Sequence, residues 1–185
     1  MKHKLPLNQE RMLGQGDYQV DNYHVNYLYG LDDLCKQYLT PEMVMLELGC
    51  NEGISTNLFA KYVKYIHTID LNNTTGINKV TQENSNVKFY NMSFQEFFDL
   101  PIHLSATMYD VVYIDGNHDY FSVVTDINNS LIRLKLGGII CGHDYNTDTP
   151  GVIKAVGELS QKFKELGYNA NINVFSDSSW AISTK

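Results

Sequence analysis

The stretch MVMLELGCNEGIST, residues 43–56, decides the fold of this chain. Its apolar start leads directly into glycines and small polar residues, which predicts a buried strand that ends in a tight turn. The segment NLFAKYVKYI that follows has amphipathic spacing and predicts a helix. A strand, a glycine turn and a helix N-terminus present free backbone N–H groups to a ligand that carries a carboxylate or hydroxyls. The stretch therefore predicts a ligand-binding loop, with Glu47 at the strand end as a further acceptor.

Gly49 and Gly53 suit this loop because glycine adopts positive φ angles and lets a ligand approach the backbone closely. A glycine pattern alone is weak evidence, since glycines commonly follow the first strand of α/β proteins. The assignment of a cofactor loop therefore depends on the rest of the chain.

The composition is that of an ordinary globular domain, with 185 residues, 43% hydrophobic and 19% charged. A net charge of −7 and a pI near 5.2 argue against general binding to nucleic acid or to an anionic membrane. The three cysteines are not clustered, which indicates buried thiols in a reducing compartment rather than disulfides or a zinc site. Because no segment resembles a signal peptide or a membrane span, we expect a cytoplasmic protein with no membrane partner.

Strand and helix patterns alternate along most of the chain, which predicts an α/β fold with a mostly parallel sheet and helices on both faces. The further predicted strands cover 65–70, 86–91, 109–115 and 139–143, and the predicted helices cover 30–40, 55–64, 74–84, 93–100, 118–134 and 150–166. The last residues predict a closing antiparallel hairpin, which completes seven strands. Residues 1–29 show no clear period and are expected to form an N-terminal arm or lid, with a single domain over 30–185.

Acidic or polar residues follow several of the predicted strands, and ligands of open α/β sheets bind beyond such carboxyl ends. Asp70 ends the second strand about 20 residues past Gly49, where an acidic residue can accept both hydroxyls of a ribose. The alternative is a turn or cap aspartate, because Asp70 begins the turn-rich segment DLNNTT. Its position at a strand end favours the ribose role.

Several motifs occur in a fixed order over about residues 30–185. They are ELGCNEGIST (47–56), Asp70, DVVYIDGNHDY (110–120), LGGIICGHDY (136–145), GVIKAV (151–156) and SWAI (179–182). The ordered set resembles the class I S-adenosylmethionine-dependent methyltransferases, and within them the branch of catechol-type and macrolide-sugar O-methyltransferases. The resemblance implies a Rossmann-like methyltransferase fold, S-adenosylmethionine as cofactor, and methylation of a hydroxyl on a small molecule or sugar.

The resemblance also implies roles for individual residues in cofactor binding. The methionine part of the cofactor would be lined by Glu47, Gly49, Gly53 and Ser55, and Asp115 would lie beside it. Asp70 would hold the ribose and Ser93 would lie near the adenine. Relatives often have an acidic residue just before that serine, whereas this chain has Met92, which favours apolar packing over a hydrogen bond.

Asp115, His143 and Asp144 fall at two neighbouring strand ends and can converge on one ion. In the metal-dependent relatives these positions hold a divalent cation, usually Mg²⁺, which binds oxygen ligands and orients a substrate hydroxyl. His143 stands where relatives often have Glu or Asp, and an imidazole favours a softer ion such as Mn²⁺. The alternative is that no metal binds here, that Asp115 accepts hydrogen bonds within its loop, and that His143 contacts the substrate.

His118 lies three residues beyond Asp115, and an imidazole is well matched to removing a hydroxyl proton near neutral pH. In the sugar O-methyltransferases the matching histidine is the proposed base, which makes His118 and Asp115 the catalytic candidates here. A surface or capping histidine is the alternative for His118.

Two further functions are compatible with the sequence. One is a methyltransferase-like domain that binds a ligand without turnover. The other is a nicotinamide-dependent oxidoreductase, which the sequence disfavours because Asn51 and Ile54 replace two glycines of G-x-G-x-x-G. The oligomeric state is open, with a homodimer among the alternatives.

Overall fold

A computed structural model describes residues 24–100 and 107–183, with the side chains of the first helix described from residue 29 onward. Helices and strands alternate as the sequence predicts. In chain order they are α1 (His24–Tyr38), β1 (Val44–Leu48), α2 (Ile54–Phe59), β2 (Tyr65–Asp70), α3 (Thr75–Glu83), β3 (Val87–Asn91), α4 (Phe94–Asp99), β4 (Tyr109–Ile114), α5 (Tyr120–Arg133), β5 (Leu134–Gly142), α6 (Pro150–Glu165), β6 (Asn173–Val174) and β7 (Trp180–Ser183).

The strands form one seven-stranded sheet in the order β3-β2-β1-β4-β5-β7-β6. The first five strands are parallel, and β7 pairs antiparallel with both β5 and β6. The predicted fold class is confirmed, including the C-terminal antiparallel hairpin. Because the five parallel strands end at one edge, the loops after β1, β2, β4 and β5 lie side by side.

Apolar residues of the strands alternate between the two faces of the sheet, and each face packs against its own layer of helices. Met45, Val111 and Cys141 face one core cluster together with Leu34 and Phe59. The opposite cluster is built from strand residues and the inner faces of α5 and α6. Because both faces are covered, the sheet is rigid and the variable loops are confined to its edges.

Three boundaries differ from the sequence-based prediction. The first helix begins at His24 rather than at residue 30, so residues 24–29 are helical and the proposed arm lies mainly outside the described residues. Helix α2 ends at Phe59, and the chain then turns over 60–62 before β2. Strand β5 begins at Leu134 and absorbs the predicted glycine turn, because the register with β4 shifts between Tyr109 and Val111. The division into an arm over 1–29 and a domain over 30–185 stays a prediction.

Within residues 24–100 and 107–183, no helix combines the length and the apolar character that crossing a membrane would require.

Candidate active site

The loop after β1 is shaped by glycines in the left-handed region of φ. Gly49 has a φ of 89°, and a Cβ there would collide with the carbonyl oxygen of Asp115. The Gly49 N–H donates to the carbonyl oxygen of Ile69 at 2.9 Å, which ties the loop to the end of β2. Gly53 has a φ of 78° and lies directly before α2. The backbone therefore passes between the ends of β2 and β4 at a distance that only glycine permits.

Glu47 lies behind this loop and is fully buried, with 0% of its surface exposed. Its carboxylate accepts hydrogen bonds from the hydroxyls of Ser55 at 2.5 Å and Thr56 at 2.6 Å. Burial raises the pKa of Glu47 to about 7, although the hydroxyl donors oppose the rise. Glu47, the acceptor predicted at the end of β1, thus binds the hydroxyls at the start of α2. Ser55, one of these two residues, is half-buried.

Asp70 occupies the predicted position at the end of β2, and its carboxylate faces the glycine loop. One oxygen accepts from the N–H groups of Cys50 at 3.0 Å and Asn51 at 2.8 Å, and the other accepts from Asn72 N–H at 2.8 Å. A carboxylate has about four acceptor positions, so a ligand hydroxyl can still bind there. The Asp70 side chain therefore lies against the glycine loop after β1.

Ser93 forms the predicted capping box at the start of α4. Its hydroxyl accepts from Glu96 N–H at 3.2 Å and donates to the Glu96 carboxylate at 2.7 Å. The hydroxyl is therefore committed to the helix start, and the adenine role of Ser93 stays a prediction that the structure does not test.

The loops after β4 and β5 bring two histidines onto one carboxylate. His118 Nε2 lies 2.9 Å from Asp144 Oδ2, and His143 Nδ1 lies 3.3 Å from the same oxygen. Asp144 has a φ of 62°, a left-handed conformation in which Asp is over-represented among non-glycine residues. The side chain of His118 is 45% exposed, whereas His143 is only 5% exposed. The site therefore has one accessible imidazole and one that forms part of the core.

The charges in this cluster shift the pKa of each member. The hydrogen bond to Asp144 raises the pKa of His118. Burial opposes a charge on His143, but the hydrogen bond to Asp144 and the carboxylates around it prevail and raise its pKa to about 9. Burial would raise the pKa of Asp144 as well, yet the two histidines hold it well below its usual range. Burial raises the pKa of Asp115 to about 6. The acids around His143 therefore favour its protonated form.

Three ligand atoms converge at this edge, one each from Asp115, His118 and Asp144, all within 4.8 Å of one another. The predicted metal set named His143 in place of His118. In the structure His143 is buried against Asp144, so the accessible donor set contains His118 instead. Two carboxylates and one imidazole suit Mn²⁺ or Mg²⁺.

A third acid, which sequence reasoning treated only as part of a turn, lies near this cluster. Asp177 precedes β7, and its carboxylate accepts from the N–H of Ser179 at 3.0 Å and from its hydroxyl at 2.8 Å. It contributes to the raised pKa of His143. A Cβ on Gly30 would collide with the Asp177 carboxylate, so α1 also packs closely here. The position of Asp177 in the sequence does not predict a place at this site, because only the folding of the C-terminal hairpin brings it there.

A family of methyltransferase domains matches the chain over residues 46–145, which contain every predicted site residue. The chain belongs to this family, within the class I S-adenosylmethionine-dependent methyltransferases. A comparison with curated proteins found no match.

Solved structures with the same fold come from several kinds of protein. Precorrin-8w decarboxylase of Methanobacterium thermoautotrophicum is 17% identical, with a TM-score of 0.61 over 85% of this chain and 90% of its own. An rRNA methylase of Streptococcus thermophilus is 16% identical, with a TM-score of 0.59 over 83% and 92%. The N-methyltransferase NodS of Bradyrhizobium japonicum, solved with S-adenosylhomocysteine, is 15% identical, with a TM-score of 0.57 over 96% and 95%. At these identities the likeness establishes the fold alone.

Proposed function

We propose that this methyltransferase transfers the methyl group of S-adenosylmethionine to a hydroxyl of a small molecule or sugar, as in the catechol-type and macrolide-sugar branch. The observation that carries the proposal is the pair of His118 and Asp144, 2.9 Å apart at the edge of the sheet where the cofactor loop also ends. A partly exposed imidazole held by a carboxylate is a suitable general base.

The orientation of the pair supports Nδ1 of His118 as the nitrogen that accepts the proton. His118 Nε2 faces Asp144, so in the neutral ring the proton resides there and Nδ1 is the free acceptor. Asp144 fixes this tautomer and stabilises the imidazolium that forms when Nδ1 takes the hydroxyl proton. The acceptor oxygen is then free to form its new bond to carbon.

Charge and backbone conformation at this edge support binding of the cofactor. When bound, S-adenosylmethionine supplies a methyl group on a positively charged sulfur, and S-adenosylhomocysteine leaves after transfer. Gly49 lets the loop pack directly against the Asp115 carbonyl, where any side chain would collide. Asp115 offers a carboxylate near the cation, and Asp70 offers one to the ribose. Holding both reactants at one edge supplies a large part of the rate enhancement.

A divalent ion is the second part of the proposal. Asp115, His118 and Asp144 would hold Mg²⁺ or Mn²⁺, which when bound would orient the acceptor hydroxyl and lower its pKa. Such an ion would compete with Asp144 for His118 Nε2, so the metal-bound arrangement and the pair of His118 and Asp144 are alternatives for one nitrogen.

A small acceptor is favoured over RNA because the chain carries a net charge of −7. The experiment is a calorimetric titration with S-adenosylmethionine, followed by transfer of radiolabelled methyl to catechols, sugars, amines and RNA. Absence of binding at high micromolar concentration would defeat the proposal. Binding without transfer to any acceptor would favour a silent binding domain, and methylation of amines or RNA alone would overturn the hydroxyl assignment. NADH serves as the control ligand and is expected not to bind.

The metal is tested in the same assay by adding EDTA and then restoring activity with Mg²⁺ or Mn²⁺. Activity that is unchanged by EDTA would remove the ion from the mechanism and leave the pair of His118 and Asp144 as the base.

A further inference from the structure

The helix that follows the Asp144 loop also packs against the loop that carries His118. Gly151 is the second residue of α6, and a Cβ there would lie 2.5 Å from the His118 carbonyl oxygen and 2.6 Å from the Tyr120 amide nitrogen. Because glycine has no Cβ, the backbone of α6 can approach the peptide groups of residues 118–120 this closely. The first turn of α6 therefore contacts the loop of the proposed base directly.

The side chain of Tyr120 makes a second contact between the same two segments. Tyr120 is the first residue of α5, two positions after His118. Its hydroxyl donates to the Glu158 carboxylate at 2.7 Å, and the ammonium nitrogen of Lys154 lies 4.0 Å from the centre of its ring. Lys154 and Glu158 are one turn apart on α6, so together they hold the ring at a single place on that helix.

Helix α6 is also tied to the loop that carries Asp144. Thr149 lies directly before the helix, and its hydroxyl donates to the carbonyl oxygen of Asp144. The Thr149 carbonyl oxygen in turn accepts from the N–H of Val152 at 3.0 Å. Helix α6 therefore contacts both of the segments that form the pair of His118 and Asp144.

The geometry of that pair depends on how the two segments lie against each other. His118 Nε2 and Asp144 Oδ2 are 2.9 Å apart, although α5 and β5 separate the two residues along the chain. A hydrogen bond weakens steeply when its atoms move apart or lose alignment. A shift of α5 against α6 would change this distance, because each helix begins within a few residues of one partner. A misplacement of about 1 Å can lower the rate of an enzyme by as much as about 10².

We propose that Tyr120 and Gly151 are positioning residues, which hold His118 against Asp144 by fixing the start of α5 on α6. Both act through His118, so neither has to touch the cofactor or the acceptor. The effect on turnover rests on the proposed function, whereas the order of the His118 loop is measured without any substrate.

The first test compares Tyr120→Leu with Tyr120→Phe. Leucine removes both contacts with α6, so kcat should fall about tenfold or more, while the KM for S-adenosylmethionine should change less than about threefold. Phenylalanine keeps the ring beneath Lys154 and should hold kcat within about threefold of the natural value. An unchanged kcat in a folded, active Tyr120→Leu protein would overturn the role of Tyr120.

Tyr62→Leu is the matched control for the loss of a tyrosine contact. The Tyr62 hydroxyl donates to the Asp32 carboxylate at 2.5 Å, and Asp32 pairs with Lys36 one turn further along α1. Tyr62 precedes β2 and so lies at the opposite end of the strands from the base. Its loss should leave kcat within about threefold of the natural value. An equal fall of kcat in Tyr62→Leu and Tyr120→Leu would indicate a general effect of stability and overturn the proposal.

Gly151→Ala tests the backbone contact independently of the ring. The added Cβ must displace the loop of His118 from α6, so kcat should fall at least about tenfold. Gly157→Ala is the control in the same helix, where an added Cβ meets nothing within 4 Å, and it should leave kcat unchanged. Equal kcat values in the two variants would overturn the role of Gly151.

NMR relaxation provides the measurement that needs no substrate. The backbone amide of His118 should have an order parameter near about 0.85 in the natural protein and below about 0.6 in Tyr120→Leu, with Tyr62→Leu unchanged. If the natural protein transfers no methyl group, the proposed function fails, and this measurement alone decides the positioning role. A lower order parameter in Tyr120→Leu would then support it, and an unchanged one would overturn it.

Discussion

The two halves of the sheet edge are built on different principles. The half after β1 and β2 is held by backbone conformation and by hydrogen bonds between residues at most 24 positions apart, such as Gly76 N–H to the Glu52 carboxylate. The half after β4 and β5 is held by charge, and its histidines and acids come from positions up to 62 apart, from Asp115 to Asp177. We propose that the first half shapes a ligand site and that the second half sets the protonation of reactive groups.

This difference suggests that the two halves serve different functions. A rigid glycine loop binds a ligand without reorganising, which favours affinity. Paired titratable groups with displaced pKa values are typical of places where protons move. Substitutions in the first half should therefore change cofactor affinity or stability, and substitutions in the second should change turnover.

The largest effect is expected from His118→Ala. Loss of the base should lower turnover by about 10² to 10⁴, because a positioned general base supplies an acceleration of that size. Affinity for S-adenosylhomocysteine should change by less than about threefold, since no cofactor role is assigned to the imidazole. Steady-state kinetics and calorimetry measure the two quantities. His67→Gln, at a histidine that contacts Tyr109 away from the edge, is the control. A folded His118→Ala protein that fails to bind S-adenosylhomocysteine would contradict the division.

Gly49→Ala tests the glycine loop of the first half. The φ of 89° and the collision with the Asp115 carbonyl should lower the free energy of unfolding by about 3 kcal/mol and weaken cofactor binding at least about tenfold. Urea denaturation and calorimetry give these values. The matched control is Gly157→Ala in α6, where an added Cβ meets nothing within 4 Å. That change should be neutral or stabilising by up to about 1 kcal/mol, because alanine is the better helix former. Equal stability of the two variants would show that the loop is not constrained as described.

Glu47→Gln tests the buried carboxyl group of the first half. The folded pKa of about 7 lies above the ordinary value of 4.5 for a glutamate, so folding takes up a proton and stability falls as pH rises from 4.5 to 7. Glutamine cannot ionise, so the stability of the variant relative to the natural protein should increase over this window by up to about 3 kcal/mol. Denaturation at pH 5 and pH 8 measures it, with the exposed Glu42→Gln as control. A difference that stays constant with pH would mean that Glu47 is ionised throughout.

The smallest effect is expected from Asp70→Asn. Removing the charge should weaken binding of S-adenosylhomocysteine by about tenfold and leave turnover at saturation nearly unchanged. Preference over the 2′-deoxy analogue of S-adenosylhomocysteine should disappear with it, and Asp33→Asn on the exposed side of α1 should retain both. If the preference survives in Asp70→Asn, the carboxylate serves only the N–H groups of Cys50 and Asn51.

Sequence reasoning was most successful where the signal is local. The strand, turn and helix around Gly49, the capping box at Ser93 and the closing hairpin all follow from residue order and backbone preference, and each is present. Asp70 was placed correctly beside the loop because its position depends only on a short strand and helix between two parallel neighbours.

Side-chain pairing was less accessible to sequence. His143 was predicted to bind a metal or to contact the substrate; it is 5% exposed with Nδ1 3.3 Å from Asp144 Oδ2, and its role stays a prediction. Glu47 was predicted to line the methionine part of the cofactor; its carboxylate accepts from the hydroxyls of Ser55 and Thr56, and the cofactor role stays a prediction.

The sequence by itself determined the class of fold and the methyltransferase family, because hydrophobic period and glycine placement act over a few residues. Only the tertiary structure decided which titratable side chains contact one another. His118 and His143 meet on Asp144, because loop torsions and strand register set those distances to within about an ångström and neither is encoded in spacing along the chain.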